Sequence, residues 1–162
     1  MDRRTMLIGV GTVLATLAGC TGASTEGTPT DSATPTSTPT PTPAPPRITD
    51  QSLEAREQCE EPDAATITTS GDAVVVEGCI VGKDGCQRPV LESARYDERA
   101  DELQVRVTTE APSDAEVCTQ QLVDLPYRVT VTFANGRPGT TTVVHDGANG
   151  EQQAGEAETG RD

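Results

Sequence analysis

Alternation of apolar and polar residues with a period of two dominates the middle of this chain. Tyr127, Val129, Val131 and Phe133 alternate with Arg128, Thr130 and Thr132, the pattern of a strand with one face buried. Leu103, Val105 and Val107 alternate with Gln104, Arg106 and Thr108 in the same way. Ala73-Val74-Val75-Val76 is apolar on both faces and predicts a more central strand that continues to Ile80-Val81. Shorter strands are expected at residues 65–69, 90–96 and 140–145. The turn residues predict three hairpins. Ser70-Gly71-Asp72 divides the first pair, residues 97–101 join a middle pair, and Asn135-Gly136 with Pro138-Gly139 divides the last. Helical periodicity is nearly missing; Ser113-Asp114-Ala115-Glu116 has the spacing of a capping box and predicts one short helix. About six short strands with turn signals between them predict an all-β fold, a small antiparallel β-sandwich of immunoglobulin-like architecture, with a partly open barrel as the competing arrangement. That domain is expected over residues 47–146. Residues 147–162 carry Gly, Glu and Gln without an apolar pattern and are expected to form a disordered acidic tail.

The pattern changes character before residue 47. Asp2, Arg3 and Arg4 precede an apolar run ending at Ala18, about 13 residues long and too short to cross a hydrocarbon core of about 30 Å. A charged start, a short apolar stretch and small residues at its end predict a signal peptide over residues 1–19. Arg3-Arg4 followed by Met6-Leu7 resembles a twin-arginine export signal, from which Asp2 and Met6 depart. Leu17-Ala18-Gly19-Cys20 resembles a lipobox. Small side chains at Ala18 and Gly19 admit the backbone to a peptidase that cuts between Gly19 and Cys20, and the Cys20 thiol takes a thioether-linked lipid. Two acyl chains on it hold firmly where one binds reversibly, at ~0.8 kcal/mol per buried CH₂. Residues 21–46 then contain nine Thr, three Ser and seven Pro. Nothing in them can be buried to offset the entropy of ordering. Alternating Pro favours extended polyproline II at about 3.1 Å per residue, so the segment is a spacer reaching up to ~80 Å. Thr and Ser beside Pro also match O-glycosylated stalks. Together these segments place the domain at a cell membrane, lipid-anchored on the extracellular face.

Composition narrows the partners. The formal net charge is −14, and such a surface repels nucleic-acid phosphates and anionic headgroups, so neither is expected to bind. Arg supplies eleven of the twelve basic residues, leaving Lys83 as the single Lys. Abundant carboxylate with almost no Lys suits a protein that stays hydrated in concentrated salt. Tyr96, Tyr127 and Phe133 are the only aromatic residues, so the core must be built from aliphatic side chains that bury less area each. A chain this short also cannot form the two lobes of a solute-binding protein.

With Cys20 taken by lipid, Cys59, Cys79, Cys86 and Cys118 remain. An even number in an exported domain with a small core predicts two disulfides, each able to add ~3–4 kcal/mol by restricting the unfolded chain. Four cysteines allow three pairings, and spacing does not select among them. Redox and zinc chemistry are disfavoured, because Cys79 and Cys86 do not form the Cys-x-x-Cys spacing at a helix start and there is no second His. His145, the only histidine, lacks a nucleophile motif around it and is expected to be a surface or strand-pairing residue. Asp97, Glu98, Asp101 and Glu102 do not follow a Ca²⁺ loop, so a solvated acidic turn is expected. Gly82-Lys83-Asp84-Gly85 lacks the ending of a phosphate loop. No catalytic, metal or cofactor site is therefore expected.

The layout of Arg3-Arg4, Leu17-Ala18-Gly19-Cys20, a Thr/Pro stalk and an acidic β domain resembles small twin-arginine-exported lipoproteins of halophilic archaea. Gly82-Lys83-Asp84-Gly85-Cys86-Gln87 with Val90-Leu91 and Tyr96-Asp97, then Cys118-Thr119-Gln120-Gln121-Leu122 with Tyr127, resembles domains of unassigned function in that group. The resemblance implies a surface location and a Cys86–Cys118 pair, with Cys59–Cys79 as the second, and it supplies no catalytic residues. The functional expectation is a surface-anchored, non-catalytic binding or envelope module. An accessory subunit of a membrane transporter or redox complex is the alternative, and a small hydrolase using His145 stands behind it.

Overall fold

The computed structural model describes residues 43–113 and 117–160, and every regular element in them is a β-strand. Eight strands follow one another: β1 (Arg47–Ala55), β2 (Ala65–Ser70), β3 (Ala73–Gly82), β4 (Arg88–Asp97), β5 (Glu102–Glu110), β6 (Val123–Ala134), β7 (Thr140–Gly147) and β8 (Gly150–Glu158). They form two four-stranded sheets, β1-β6-β3-β2 and β4-β5-β7-β8. The fold is thus the small β-sandwich that the alternation predicts. Ser113 sits in a turn, and the remainder of the expected capping box, residues 114–116, lies outside the described residues.

The sheets are not wholly antiparallel. β5 and β7 run parallel, with Val105 opposite Val143. The chain leaves β5, crosses to the other sheet as β6 and returns as β7, so two strands of the same direction end side by side. The expected hairpin at Asn135-Gly136 and Pro138-Gly139 is corrected accordingly: residues 135–139 carry the chain between sheets instead of pairing β6 with β7. The other two hairpins form as expected, β2 with β3 and β4 with β5.

Two strands had no sequence signature. In β1, Ile48 lies opposite Phe133 and Leu53 opposite Val129, with a register shift between Ile48 and Asp50. That bulge moves both apolar residues onto the inner face although they are five positions apart, which hides the period of two. β8 overturns the expected disordered tail: Gly150–Glu158 pairs antiparallel with β7 from Gly147↔Gly150 to Thr140↔Glu158. Backbone hydrogen bonding holds this edge strand, helped by the packing of Ala154 on the core. The domain accordingly extends past residue 146.

The core lies between the sheets and consists of Val74, Val76, Ile80, Leu103, Val105, Val107, Val129, Val131 and Val143, with Tyr127 and Phe133 as its largest side chains. Tyr96 meets Phe133 edge-on at a centroid distance of 6.0 Å. Both described chain ends leave from one end of the sandwich. Asn135 donates to the Pro45 carbonyl just before β1, and the backbone N–H of Thr159 bonds the Gly139 carbonyl. Short turns, residues 71–72 and 98–101, share that end. The longer connections, residues 56–64, 83–87, 111–113 and 117–122, gather at the opposite end with the β7–β8 turn.

Candidate functional site

Alternation along β7 aims Thr141, Val143, His145 and Gly147 into the sandwich, and all four are buried. His145 is 0% exposed. This corrects the expectation of a surface residue: the imidazole is in phase with Val143 and therefore points inward. Across the core, β6 brings Tyr127 to it, with the Tyr127 hydroxyl 2.6 Å from His145 Nε2 and the rings edge-to-face at 5.5 Å. The two largest polar groups of the interior thereby satisfy each other and join the sheets.

A carboxylate stands behind the imidazole. Asp63, in the connection between β1 and β2, has a positive φ of 55°, a conformation Asp tolerates better than most side chains. Its carboxylate accepts from the Val81 N–H at 3.3 Å and from the Asn149 side-chain amide, tying β3 to the β7–β8 turn. The Asp63 oxygen is 3.9 Å from His145 Nδ1, beyond hydrogen-bond reach, and Nδ1 has no hydrogen-bond partner. Burial drives the imidazole pKa down to about 4, and the charge of Asp63 offsets only part of that fall. Burial likewise pushes the Tyr127 phenol above its ordinary range. At neutral pH both groups are uncharged, so the consistent arrangement has the Tyr127 hydroxyl donating to Nε2 and the proton of the ring on Nδ1, facing Asp63.

Gly78 makes room for this pair. It lies opposite Tyr127 in the β3–β6 ladder, and a Cβ there would stand 2.5 Å from the phenol oxygen and 2.7 Å from Cζ. Gly78→Ala is expected to cost about 2 kcal/mol through overpacking. Chemical denaturation checks this, and an unchanged midpoint would mean that the ring has room to move away.

Gly78 and Tyr127 also contribute to a groove of about 390 Å³. Arg56, Glu60, Glu61 and Glu77 line it together with the Cys59–Cys79 disulfide. Glu77 is also within 3.4 Å of Arg128. Cys79 is fully buried on the face of β3 that the connection carrying Cys59 covers. The second disulfide, Cys86–Cys118, joins the β3–β4 turn to residues 117–122 ahead of β6. These are the pairings implied by the resemblance.

The remaining expected features have structural roles. Asp97 accepts from the N–H groups of Arg99 and Ala100 at 2.8 and 3.2 Å and closes its own turn. Asp101 accepts from the Tyr96 hydroxyl at 2.7 Å. In the Gly82–Gly85 stretch, Asp84 accepts from the Cys86 N–H at 3.0 Å. Asp84, Cys86 and Cys118 lie within 4.8 Å of one another, but the two sulfurs are bonded to each other and offer no thiolate. Arg106, missed in the sequence, bridges Glu92, Asp146 and Glu151 across the second sheet at 2.6, 3.0 and 2.6 Å. Arg3, Arg4, Gly19 and Cys20 lie outside the described residues. No family model, curated protein or solved structure matches this chain.

Proposed function

We propose that this chain is a lipid-anchored domain on the outer face of a cell membrane, joined to Cys20 by the Thr/Pro stalk and acting as a non-catalytic binding or envelope module. The observation that sets a hydrolase using His145 aside is the enclosure of that residue. A general base must come within hydrogen-bond reach of a substrate proton, whereas this imidazole is 0% exposed and has Nε2 occupied by Tyr127. The anchor rests on the order of segments: Leu17-Ala18-Gly19-Cys20, then Thr/Pro repeats, then a sandwich with two disulfides. Disulfides of this kind belong to an oxidising compartment.

Cell fractionation of Cys20→Ser against the parent chain tests the anchor. The parent is expected in the membrane pellet, released by detergent and not by salt, because hydrocarbon and not charge holds it. The Cys20→Ser protein is expected in the soluble fraction. If it stays with the membrane and behaves like the parent, Cys20 is not the anchor.

A further inference from the structure

We infer that Asn149 is a self-modifying site: the Gly150 backbone nitrogen displaces its side-chain amide, and the carboxylate that results drives Asp63 out of the contact tying the β1–β2 connection to the β7–β8 turn.

Both asparagines of the chain, Asn135 and Asn149, are followed by Gly, and all four residues are exposed. Asn followed by Gly is the pair in which main chain attacks side chain most readily, because the second residue has no side chain to hinder closure. At Asn149 the Gly150 nitrogen gives up its proton to solvent and bonds to Cγ. The Cγ–Nδ2 bond breaks, and Nδ2 takes up a proton and leaves as ammonia. Water then opens the five-membered imide at either carbonyl. The products are Asp and its isomer with the main chain routed through Cβ. Water is the only other reactant. Turn geometry keeps the reactive pair in place: Gly150 has a φ of 83°, which a residue with a side chain adopts at a cost. A Cβ built there would meet nothing within 4 Å, so the approach to this residue is open.

What separates Asn149 from Asn135 is its partner. Asn135 donates to the Pro45 carbonyl at 3.4 Å, a long exposed bond whose acceptor water can satisfy. Asn149 Nδ2 donates directly to Asp63 Oδ2. After conversion that contact lies between two carboxylates, with no proton to share at neutral pH. Among the described residues Asp63 pairs with no Arg or Lys. Its other partners are the Val81 N–H at 3.3 Å and, 3.9 Å away, the His145 ring, uncharged at neutral pH. Nothing there offsets a second negative charge, so the two groups separate. The Asp63 carboxylate holds its connection both to β3 and to the β7–β8 turn, and displacing it loosens both ties. Age therefore weakens the end of the sandwich beside His145, and not the turn at Asn135.

Ageing the full chain in mildly alkaline buffer, followed by peptide mass mapping, tests the chemistry. Conversion is expected at Asn149, seen as OH in place of NH₂ and as isoaspartate, together with faster hydrogen exchange of the Val81 amide. Variants test the consequence. Asn149→Asp is expected to exchange the Val81 amide about tenfold faster than the parent chain, and faster than Asn149→Ala, which loses the donor and adds no charge. Combining Asp63→Asn with Asn149→Asp reverses the pair: the amide at position 63 donates to the new carboxylate while its oxygen still accepts from Val81. Asn tolerates positive φ as Asp does, so slow exchange is expected to return. Asn135→Asp is expected to leave Val81 unchanged. An amide that persists at position 149 would overturn the modification. Unchanged Val81 exchange in the aged chain, Asn149→Asp no faster than Asn149→Ala, no recovery in the reversed pair, or an equal effect from Asn135→Asp would each overturn the release of Asp63.

Discussion

Loss of both disulfides is expected to remove about 7 kcal/mol of stability and to leave the domain largely unfolded. Cys59–Cys79 closes a loop of 20 residues and Cys86–Cys118 one of 32. Restricting the unfolded chain by loops of that size is worth about 3 and about 4 kcal/mol respectively. The loops do not overlap in sequence, so their contributions should add. A domain of this size has a total stability of about 5–15 kcal/mol, and this core holds only three aromatic side chains, one of them Tyr96 at its margin. Paired Cys→Ala variants separate the two bridges, since Ala at Cys79 leaves no buried hydroxyl. Urea unfolding should show a large fall in midpoint for each pair and little folded protein with all four replaced. A fully reduced domain with an unchanged midpoint would show that packing alone sustains the fold.

Acidification should reveal the second large effect. Between about pH 6.5 and pH 4 the folded domain is expected to lose up to ~3 kcal/mol through His145 alone. The folded imidazole titrates at about 4, whereas in the unfolded chain it titrates near ~6.5. Inside that window the unfolded chain binds a proton that the folded chain does not, so stability rises with pH. Above the window neither state is protonated at this site, below it both are, and the contribution levels off. Carboxylates also titrate on the acid side, but they are shared with a His145→Leu variant. That variant begins less stable, because the Tyr127 hydroxyl loses its partner at a cost of about 1–3 kcal/mol. Its stability should nevertheless fall less steeply from pH 6.5 to pH 4. Urea unfolding of both chains across this range measures the difference, and parallel curves would mean that His145 is not buried in neutral form.

The sequence was most legible where one face of a strand is buried without interruption. β6 and β5 keep strict alternation, and their inward residues Val129, Val131, Val105 and Val107 are all core. β1 escaped because its bulge changes parity between Ile48 and Leu53. β8 escaped because its stability comes from a backbone ladder, which any side chains can make, and Gly155 there passes close to the Ala65 carbonyl. Asn135-Gly136 and Pro138-Gly139 reported that the chain bends, but turn chemistry is local and does not say which sheet the next strand joins.

The Tyr127–His145 pair was hidden for a different reason. Its members are 18 residues apart, and Asp63 comes from another connection altogether. Neither spacing nor motif links them. One signal was available: His145 shares parity with Val143 and Thr141, so a strand with an inward Val also turns its histidine inward. That parity makes His145 a core residue and holds its imidazole out of reach of a substrate.

NMR titration of His145 reports directly on the enclosure of its imidazole. With ¹⁵N-labelled histidine the single ring should show Nδ1 protonated and Nε2 accepting a hydrogen bond at neutral pH. It should not titrate until the pH nears about 4. A ring that titrates near ~6.5 with averaged tautomers and fast solvent exchange would place His145 in water, and would contradict both the sealed core and the setting aside of a hydrolase using His145.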